Sequence, residues 1–274
     1  MDEIIWRGMT RAQLDAAYNN SAAVKNSAGK LADWTERSKR MRAEKGELLD
    51  LVYGPRARNR IDVFRCGAAR APLLVYIHGG YWQRNAKELY ACLAAGPMAR
   101  GIDVALVGYT LAPEATLTQI VDEIRSAMRW LRSEGPRRGI AAGKLVVSGW
   151  SAGGHLTAMA HTDADAGLAI SGIFDIEPCR LNYLNAALKL TADEVSVLSP
   201  VRQLPPRSGP LTIAFGTAEL PELQRQSRDY HAAREAAKLP SELLPLDGHD
   251  HFSILEELAE PRGQLTEAVI RLAG

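Results

Sequence analysis

The feature that most restricts the fold is a series of short, almost uninterrupted apolar runs: Leu73–Ile77, Val104–Val107, Leu145–Val147, Leu168–Ile170 and Leu211–Phe215. Runs this short fit strands buried on both faces, the mark of a parallel sheet covered by helices. Helical segments fall between them, at about Ala86–Arg100, Leu117–Ser133, Gly153–His161 and Glu222–Ala237. This alternation predicts an α/β fold: a mostly parallel central sheet with helices on both faces and right-handed crossovers. Glu47–Tyr53 and Arg60–Cys66 mix apolar and polar residues around Gly54-Pro55, which predicts an antiparallel pair where the sheet begins. Ahead of them, residues 10–45 read as a helical N-terminal arm packed on the main body. Thr10 caps a first helix from about Arg11, Asn19-Asn20-Ser21 break the chain, and a second helix runs from about Leu31 to Glu44. No Pro/Gly/Ser-rich linker divides the 274 residues, so one domain (1–274) is expected.

Charge excludes several functions. Lys plus Arg number 33 and Asp plus Glu 32, a formal net charge of +1, so nothing draws the chain to nucleic acid or an anionic membrane. The basic runs Arg37–Arg42 and Arg137-Arg138 read as solvated faces. The cysteines Cys66, Cys92 and Cys179 are odd in number, widely spaced and without a CxxC, so neither disulfides nor a zinc site are expected, and reduced cytoplasmic thiols fit best. After Met1-Asp2-Glu3 no basic stretch leads into an apolar one, so no secretory leader is expected. The apolar runs fall far short of the ~18 residues of a membrane span. The expectation is a cytoplasmic protein acting on a small molecule, with no cofactor and no metal; a homodimer is left open.

The local signal that carries chemistry is Gly149-Trp150-Ser151-Ala152-Gly153, between the strand at Leu145–Ser148 and the helix that opens near Gly153. In a strand–turn–helix context, GxSxG places a serine on a strained turn above the carboxyl ends of the strands. A second motif, His78-Gly79-Gly80, directly follows the strand Leu73–Ile77. Attack by Ser151 on a carbonyl would create an oxyanion, and the backbone N–H groups of Gly79, Gly80 and Ala152 are the natural donors for it. The base and its orienting acid should follow in the order serine, acid, histidine, as in the α/β-hydrolase fold. The acid belongs after Leu211–Phe215, which points to Glu219. Asp247 and Asp250 are alternatives in the histidine loop. The histidine belongs after the strand Glu242–Leu246, where His249 and His251 lie. His251 is preferred because it abuts the helix expected to start at Phe252. Asp175 and Glu177 are read as fixing a cap formed by about Pro178–Val197 over the active site, and Glu222 as starting the next helix. His78 should hold its loop, His155 is structural, and His161 and His231 are surface or packing residues. Tyr81 and Trp82, directly after the oxyanion glycines, are expected to bind substrate at the rim of the reacting centre.

At these residues the chain resembles the kynurenine formamidase (arylformamidase) branch of the α/β-hydrolases, from about Leu73 onward. His78-Gly79-Gly80-Tyr81-Trp82 is similar to that family's oxyanion loop, where the neighbouring hormone-sensitive-lipase-like esterases usually carry a third glycine. Phe174-Asp175-Ile176-Glu177-Pro178, Pro221-Glu222 with Arg225-Gln226-Ser227, and Asp250-His251-Phe252 resemble further family segments. The family acid is usually Asp, whereas Glu219 stands here. Residues 1–60 resemble the family only loosely. The resemblance implies a serine hydrolase that cleaves a formyl or acetyl group from an aryl amide, with a short-chain carboxylesterase as the alternative.

Overall fold

The computed structural model describes residues 3–140 and 143–274; the chain opening at Met1 and Asp2, read above for a leader, lies outside them. A small antiparallel ribbon of β1 (Ile4–Trp6) and β2 (Met9–Thr10) leads into the arm helices α1 (Arg11–Ala17), α2 (Asn20–Ala23) and α3 (Ser27–Lys45). The Thr10 side chain caps α1 in a reciprocal box with Gln13, which satisfies N–H groups the helix cannot. The expected break at Asn19–Ser21 is instead a helical turn, with Asn19 capping it through Ala22 N.

The central sheet has eight strands: β3 (Leu48–Val52), β4 (Arg60–Phe64), β5 (Leu73–Ile77), β6 (Asp103–Val107), β7 (Leu145–Trp150), β8 (Ala166–Ile170), β9 (Leu211–Gly216) and β10 (Ser241–Leu246). Their order is β10-β9-β8-β7-β5-β6-β4-β3. β5 to β10 are parallel, and β4 and β3 join antiparallel at one edge. The remaining helices are α4 (Ala95–Ala99), α5 (Leu117–Ser133), α6 (Ala152–Ala160), α7 (Glu177–Leu181), α8 (Asn185–Leu188), α9 (Ala192–Leu198), α10 (Pro221–Ala236), α11 (Glu256–Ala259) and α12 (Gln264–Ala273).

The uninterrupted apolar runs have a direct cause. Every residue of β5 is buried. Leu73, Val75 and Ile77 join a core with Ile120, Ile124 and Met128 of α5. Leu74 and Tyr76 join a second core with Trp34 of α3 and Leu265 and Val269 of α12. Successive side chains point to opposite faces, so a strand covered on both sides must be apolar at every position. Each such side chain contributes about 1.5–3 kcal/mol by leaving water. α5 shows the complementary logic: Thr116 and Gln119 form its capping box, and Leu117, Ile120, Val121, Ile124, Met128 and Leu131 recur at helical spacing on its buried face.

Two expected helices are wound differently. Residues 86–100 form a 3-10 stretch, Lys87–Ala94, and only then α4. Lys87 and Tyr90 to Ala94 are all buried, so most of the segment lacks a solvent face, and packing rather than helical periodicity sets its winding. After His251, Ser253–Leu255 is a 3-10 turn and α11 is short; the long closing helix begins only at Gln264.

A buried ion network ties the arm to the sheet edge. Lys87 Nζ donates to Asp62 Oδ1 at 2.8 Å, Asp50 Oδ1 at 2.7 Å and Glu88 Oε1 at 2.7 Å. Arg42 of α3 pairs with Asp62 Oδ2, and the Asp50 amide donates to Asp62 Oδ1. The Asp62 side chain is 0% exposed and that of Lys87 3%. Asp62→Ala leaves Lys87 and Arg42 without their shared buried counter-charge, and urea unfolding should record a loss of about 3–5 kcal/mol. A loss below about 1 kcal/mol would mean the network behaves as a solvated surface pair.

Candidate active site

β7 and α6 meet at Ser151, which is buried and holds φ 58° and ψ −117°. A non-glycine residue in that region is strained, and close packing keeps it there. A Cβ on Gly153 would overlap the Ile77 carbonyl oxygen, and one on Gly149 would overlap the Gly153 carbonyl. Glycine at both positions lets α6 start directly against the ends of β5 and β7. The Ser151 amide donates to Ile170 O at 2.8 Å, so β8 holds the turn from the other side. Ala152 is the first residue of α6, and its N–H has no partner within the helix.

The loop after β5 lies against this turn. A Cβ on Gly79 would sit 3.1 Å from Ser151 Cβ. Gly80 has φ 119°, followed by Tyr81 at 52° and Trp82 at 59°. This left-handed run is held by the Gln83 and Arg84 amides, both donating to Gly80 O at 3.0 Å, and by Asn85 Nδ2 donating to Gly79 O at 3.3 Å. Both glycine carbonyls are engaged in these turns, and among the described residues neither the Gly79 nor the Gly80 N–H donates to a loop or turn carbonyl.

Glu219 and His251 come together from separate loops. His251 Nδ1 lies 2.9 Å from Glu219 Oε2, with side-chain exposures of 4% and 0%. Glu219 Oε1 accepts from Ser171 Oγ at 2.5 Å and from Gly216 N at 2.7 Å, so both carboxylate oxygens are engaged. Trp150 Nε1 donates to His251 O at 2.8 Å, and its ring lies 4.8 Å from the imidazole. Asp250 Oδ1 accepts from the Phe252 and Ser253 amides, which fixes the chain on both sides of His251. His251 and Ser151 line one cavity of about 210 Å³, together with Asn20, Ser21, Leu31, Gly80, Tyr81, Arg84, Asn85, Trp150 and Phe252.

The other candidates stand elsewhere. His249 faces Glu257 at 3.3 Å, and the exposed Asp247 accepts from Thr217 Oγ1. Asp175 accepts from Glu177 N, Ser199 Oγ and Arg202, and Glu177 pairs with Arg180, so both stand at the ends of the 177–198 segment. Glu222 lies in the first turn of α10 and also accepts from Tyr18 OH at 3.3 Å. Trp82 is a correction to the sequence reading. It is 0% exposed, packs edge-on against His155 at 5.0 Å, and does not line the cavity. The indole packs under the loop into the core, while Tyr81, also buried, lines the cavity wall. The expected cap is also displaced. Residues 178–197 touch the loop through Leu184 O, which accepts from Gln83 Nε2 at 3.1 Å, but the arm supplies Asn20, Ser21 and Leu31 to the wall. Tyr81 OH donates to Tyr18 O at 2.6 Å and accepts from Asn20 Nδ2 at 2.9 Å, which locks the arm onto the loop. Sequence reasoning missed these arm residues and Ser171. Only the place of Ser171-Gly172 at a parallel strand's carboxyl end, where α/β sheets bind ligands, could have pointed to it.

Among the described residues no helix is long and apolar enough to cross a membrane, and no group of three or more His, Cys, Asp or Glu is placed to hold a metal.

The BD-FAE family model matches residues 62–168. Kynurenine formamidase of Danio rerio is 29% identical over 296 residues, covering 98% of each chain, and that of Salmo salar is 28% identical with the same coverage. A candidate thioesterase from Silicibacter sp. superposes with a TM-score of 0.84 at 27% identity, covering 94% of this chain and 99% of the other. The fold is that of the α/β-hydrolases, and the chain is a hydrolase resembling the kynurenine formamidases.

Four histidines lie outside the Glu219 pair and the His249 contact. His78 is sandwiched between Tyr109 and Tyr90 at 4.3 and 6.0 Å, with Nδ1 2.9 Å from Gly79 O. His155 Nε2 reaches Leu198 O at 2.8 Å and His161 Nε2 reaches Pro210 O at 3.1 Å. His231 pairs with Ser241 at the surface of α10. Burial pushes His78, His155 and His161 each down from 6.5 to about 4, so the folded chain keeps them neutral. Below pH 6.5 the unfolded chain protonates them first. Their contribution to stability is therefore complete above that pH and is lost as pH falls toward 4. His155→Gln should remove about one proton, or ~1.4 kcal/mol per pH unit, from the slope of unfolding free energy between pH 6 and 5. Equal slopes in the two proteins would mean that His155 is charged in the folded state.

Proposed function

We propose that this chain is a serine hydrolase that removes a formyl or acetyl group from an aryl amide through an acyl-enzyme, with Ser151 as nucleophile, His251 as base and Glu219 as its orienting acid. The observation that carries this reading is the buried Glu219–His251 contact at 2.9 Å behind a cavity whose wall also holds Ser151 on its strained turn. In this scheme Ser151 Oγ attacks the carbonyl carbon and His251 Nε2 takes its proton. Glu219 accepts from Nδ1–H and offsets the charge of the imidazolium. The N–H groups of Gly79, Gly80 and Ala152 face the oxyanion. The tetrahedral intermediate then collapses, the C–N bond breaks, and His251 passes its proton to the departing arylamine. A water, deprotonated by His251, hydrolyses the acyl-Ser151 ester and releases formate or acetate. The likeness to the kynurenine formamidases over nearly the whole chain makes N-formylkynurenine the first substrate to try. Cytoplasmic placement belongs to the same proposal. Short acyl esters would follow the same route, so an amide and an ester of matched shape separate the formamidase reading from the carboxylesterase one.

Three outcomes test the roles. Ser151→Ala should fold normally and lose several orders of magnitude of turnover, because removing a triad serine leaves only binding and oxyanion effects; retention of more than about a tenth would sink the assignment. Glu219→Gln should lose most activity and Glu219→Asp less of it, since the shorter side chain draws its carboxylate back from His251. A silent Glu219→Gln beside an inactive Asp247→Asn would move the acid elsewhere.

The cavity wall makes a separate prediction. Tyr81 fills space beside the oxyanion glycines, so added acyl carbons should meet overlap rather than gain contact. Across acetyl, butyryl and octanoyl p-nitrophenyl esters kcat/KM should fall steadily, and Tyr81→Ala should flatten the series. Tyr81→Phe keeps the ring while losing the tether to Tyr18, and should preserve the slope. A wild-type optimum at octanoyl would favour a lipase-like esterase.

A further inference from the structure

We propose that Ser171 is a positioning residue for the reaction: its hydroxyl sets the Glu219 carboxylate for His251, so that the end of β8 fixes the nucleophile and its acid in one frame. The proposal rests on Ser151, His251 and Glu219 acting together as proposed above. Two adjacent residues at the end of β8 serve the two halves of the site. The Ile170 carbonyl accepts from the Ser151 amide at 2.8 Å. The next side chain, Ser171 Oγ, donates to Glu219 Oε1 at 2.5 Å.

The backbone leaves Ser171 little choice of direction. Its amide donates to Ala214 O of β9 at 2.7 Å. Its φ of 49° lies in a region that is costly for a non-glycine residue and persists only where packing over-determines it. That packing comes in part from α6, because a Cβ on Gly154 would stand 2.8 Å from Gly172 Cα. The strand end is thus wedged between the helix that follows the nucleophile and the strand that leads to the acid.

A glutamate side chain has rotamer freedom that must be given up for one oxygen to meet a ring nitrogen. Three donors take it up here: Ser171 Oγ and Gly216 N, the latter at 2.7 Å, both hold Oε1, which leaves Oε2 for His251 Nδ1 at 2.9 Å. Gly216 ends β9, and Glu219 sits on the loop that follows, so that amide belongs to the same segment as the acid. Ser171 is the donor that ties the carboxylate to β8, and through Ile170 to Ser151. A hydroxyl that donates to a carboxylate makes one of the stronger hydrogen bonds. With Nδ1–H directed at Glu219, Nε2 is the nitrogen left to act as base. Ser171 is fully buried and does not line the cavity, so it acts through Glu219 and not on the substrate.

The test is hydrolysis of p-nitrophenyl acetate by the full chain. Ser171→Ala should lower kcat by about tenfold to a hundredfold, the scale of one charge-assisted hydrogen bond, and leave KM within about twofold. Ser171→Gly lacks the same hydroxyl but takes a φ of 49° without strain. The two variants therefore carry different backbone strain and the same chemical loss, and their kcat values should match. In a Glu219→Gln background, adding Ser171→Ala should cost less than about twofold, because a residue that works through the carboxylate has nothing left to position. Four results would each overturn the role of Ser171 while leaving Ser151 in place: wild-type kcat in Ser171→Gly, kcat losses that follow the melting temperatures, a loss that falls on KM, or the full Ser171→Ala loss repeated in Glu219→Gln. No turnover by the wild type, or turnover that survives Ser151→Ala, overturns the reading of the site and this proposal with it.

Discussion

Gly153 and the Ile77 carbonyl approach so closely that no side chain could stand between them, and the geometry of the site depends on that contact. It brings the first turn of α6 against the carboxyl ends of β5 and β7. Ser151 is then forced into its left-handed conformation, and the loop after β5 is laid beside it. Strain of this kind costs of order 1–3 kcal/mol and persists only where surrounding packing over-determines it. Here the packing is a sheet buried on both faces, which has the rigidity to hold an unfavourable turn.

The Glu219–His251 pair is held by the same rigidity, carried outward through side chains. Ser171 follows β8 and also sits at positive φ, 49°; its hydroxyl and the Gly216 amide hold the carboxylate from behind. Trp150, on the turn itself, holds the His251 carbonyl and packs on its ring. The proposed nucleophile and the proposed base are thus linked through adjacent residues of one motif, Trp150 and Ser151. Trp150 also packs against Trp34 of the arm, edge-on at 6.1 Å, so the arm bears on the position of the histidine as well as on the cavity wall.

The arm is consequently part of the site. Its α3 helix buries Trp34, whose Nε1 donates to Glu256 at 2.6 Å, and Arg42 joins the ion network on Lys87 and Asp62. Tyr18 and Asn20 close on Tyr81. A cavity closed by a tethered arm and floored by the sheet suits a small substrate.

From the sequence alone the strand–helix alternation, the buried parallel strands and the position of Ser151 at a strand–turn–helix junction were readable, because each rests on local periodicity or on residues adjacent in the chain. The loops that hold Glu219 and His251 followed from strand counting, since an α/β sheet presents its loops at one edge in a known order, whereas the choice of His251 over His249 rested on the segment after it and on the family resemblance. Residues whose placement depends on contacts far apart in sequence were not readable. Trp82 and Tyr81 are neighbours with the same left-handed backbone, yet Trp82 packs on His155 while Tyr81 lines the cavity and meets the arm, a difference set by partners distant in sequence. Asn20 and Ser171 carry no motif, and each reaches the site across long separations, to Tyr81 and to Glu219. The sequence by itself determined the layers and the order of the chemistry. The tertiary structure decided which surface covers the cavity and which side chains face it, because those depend on how separate elements pack rather than on the pattern within any one of them.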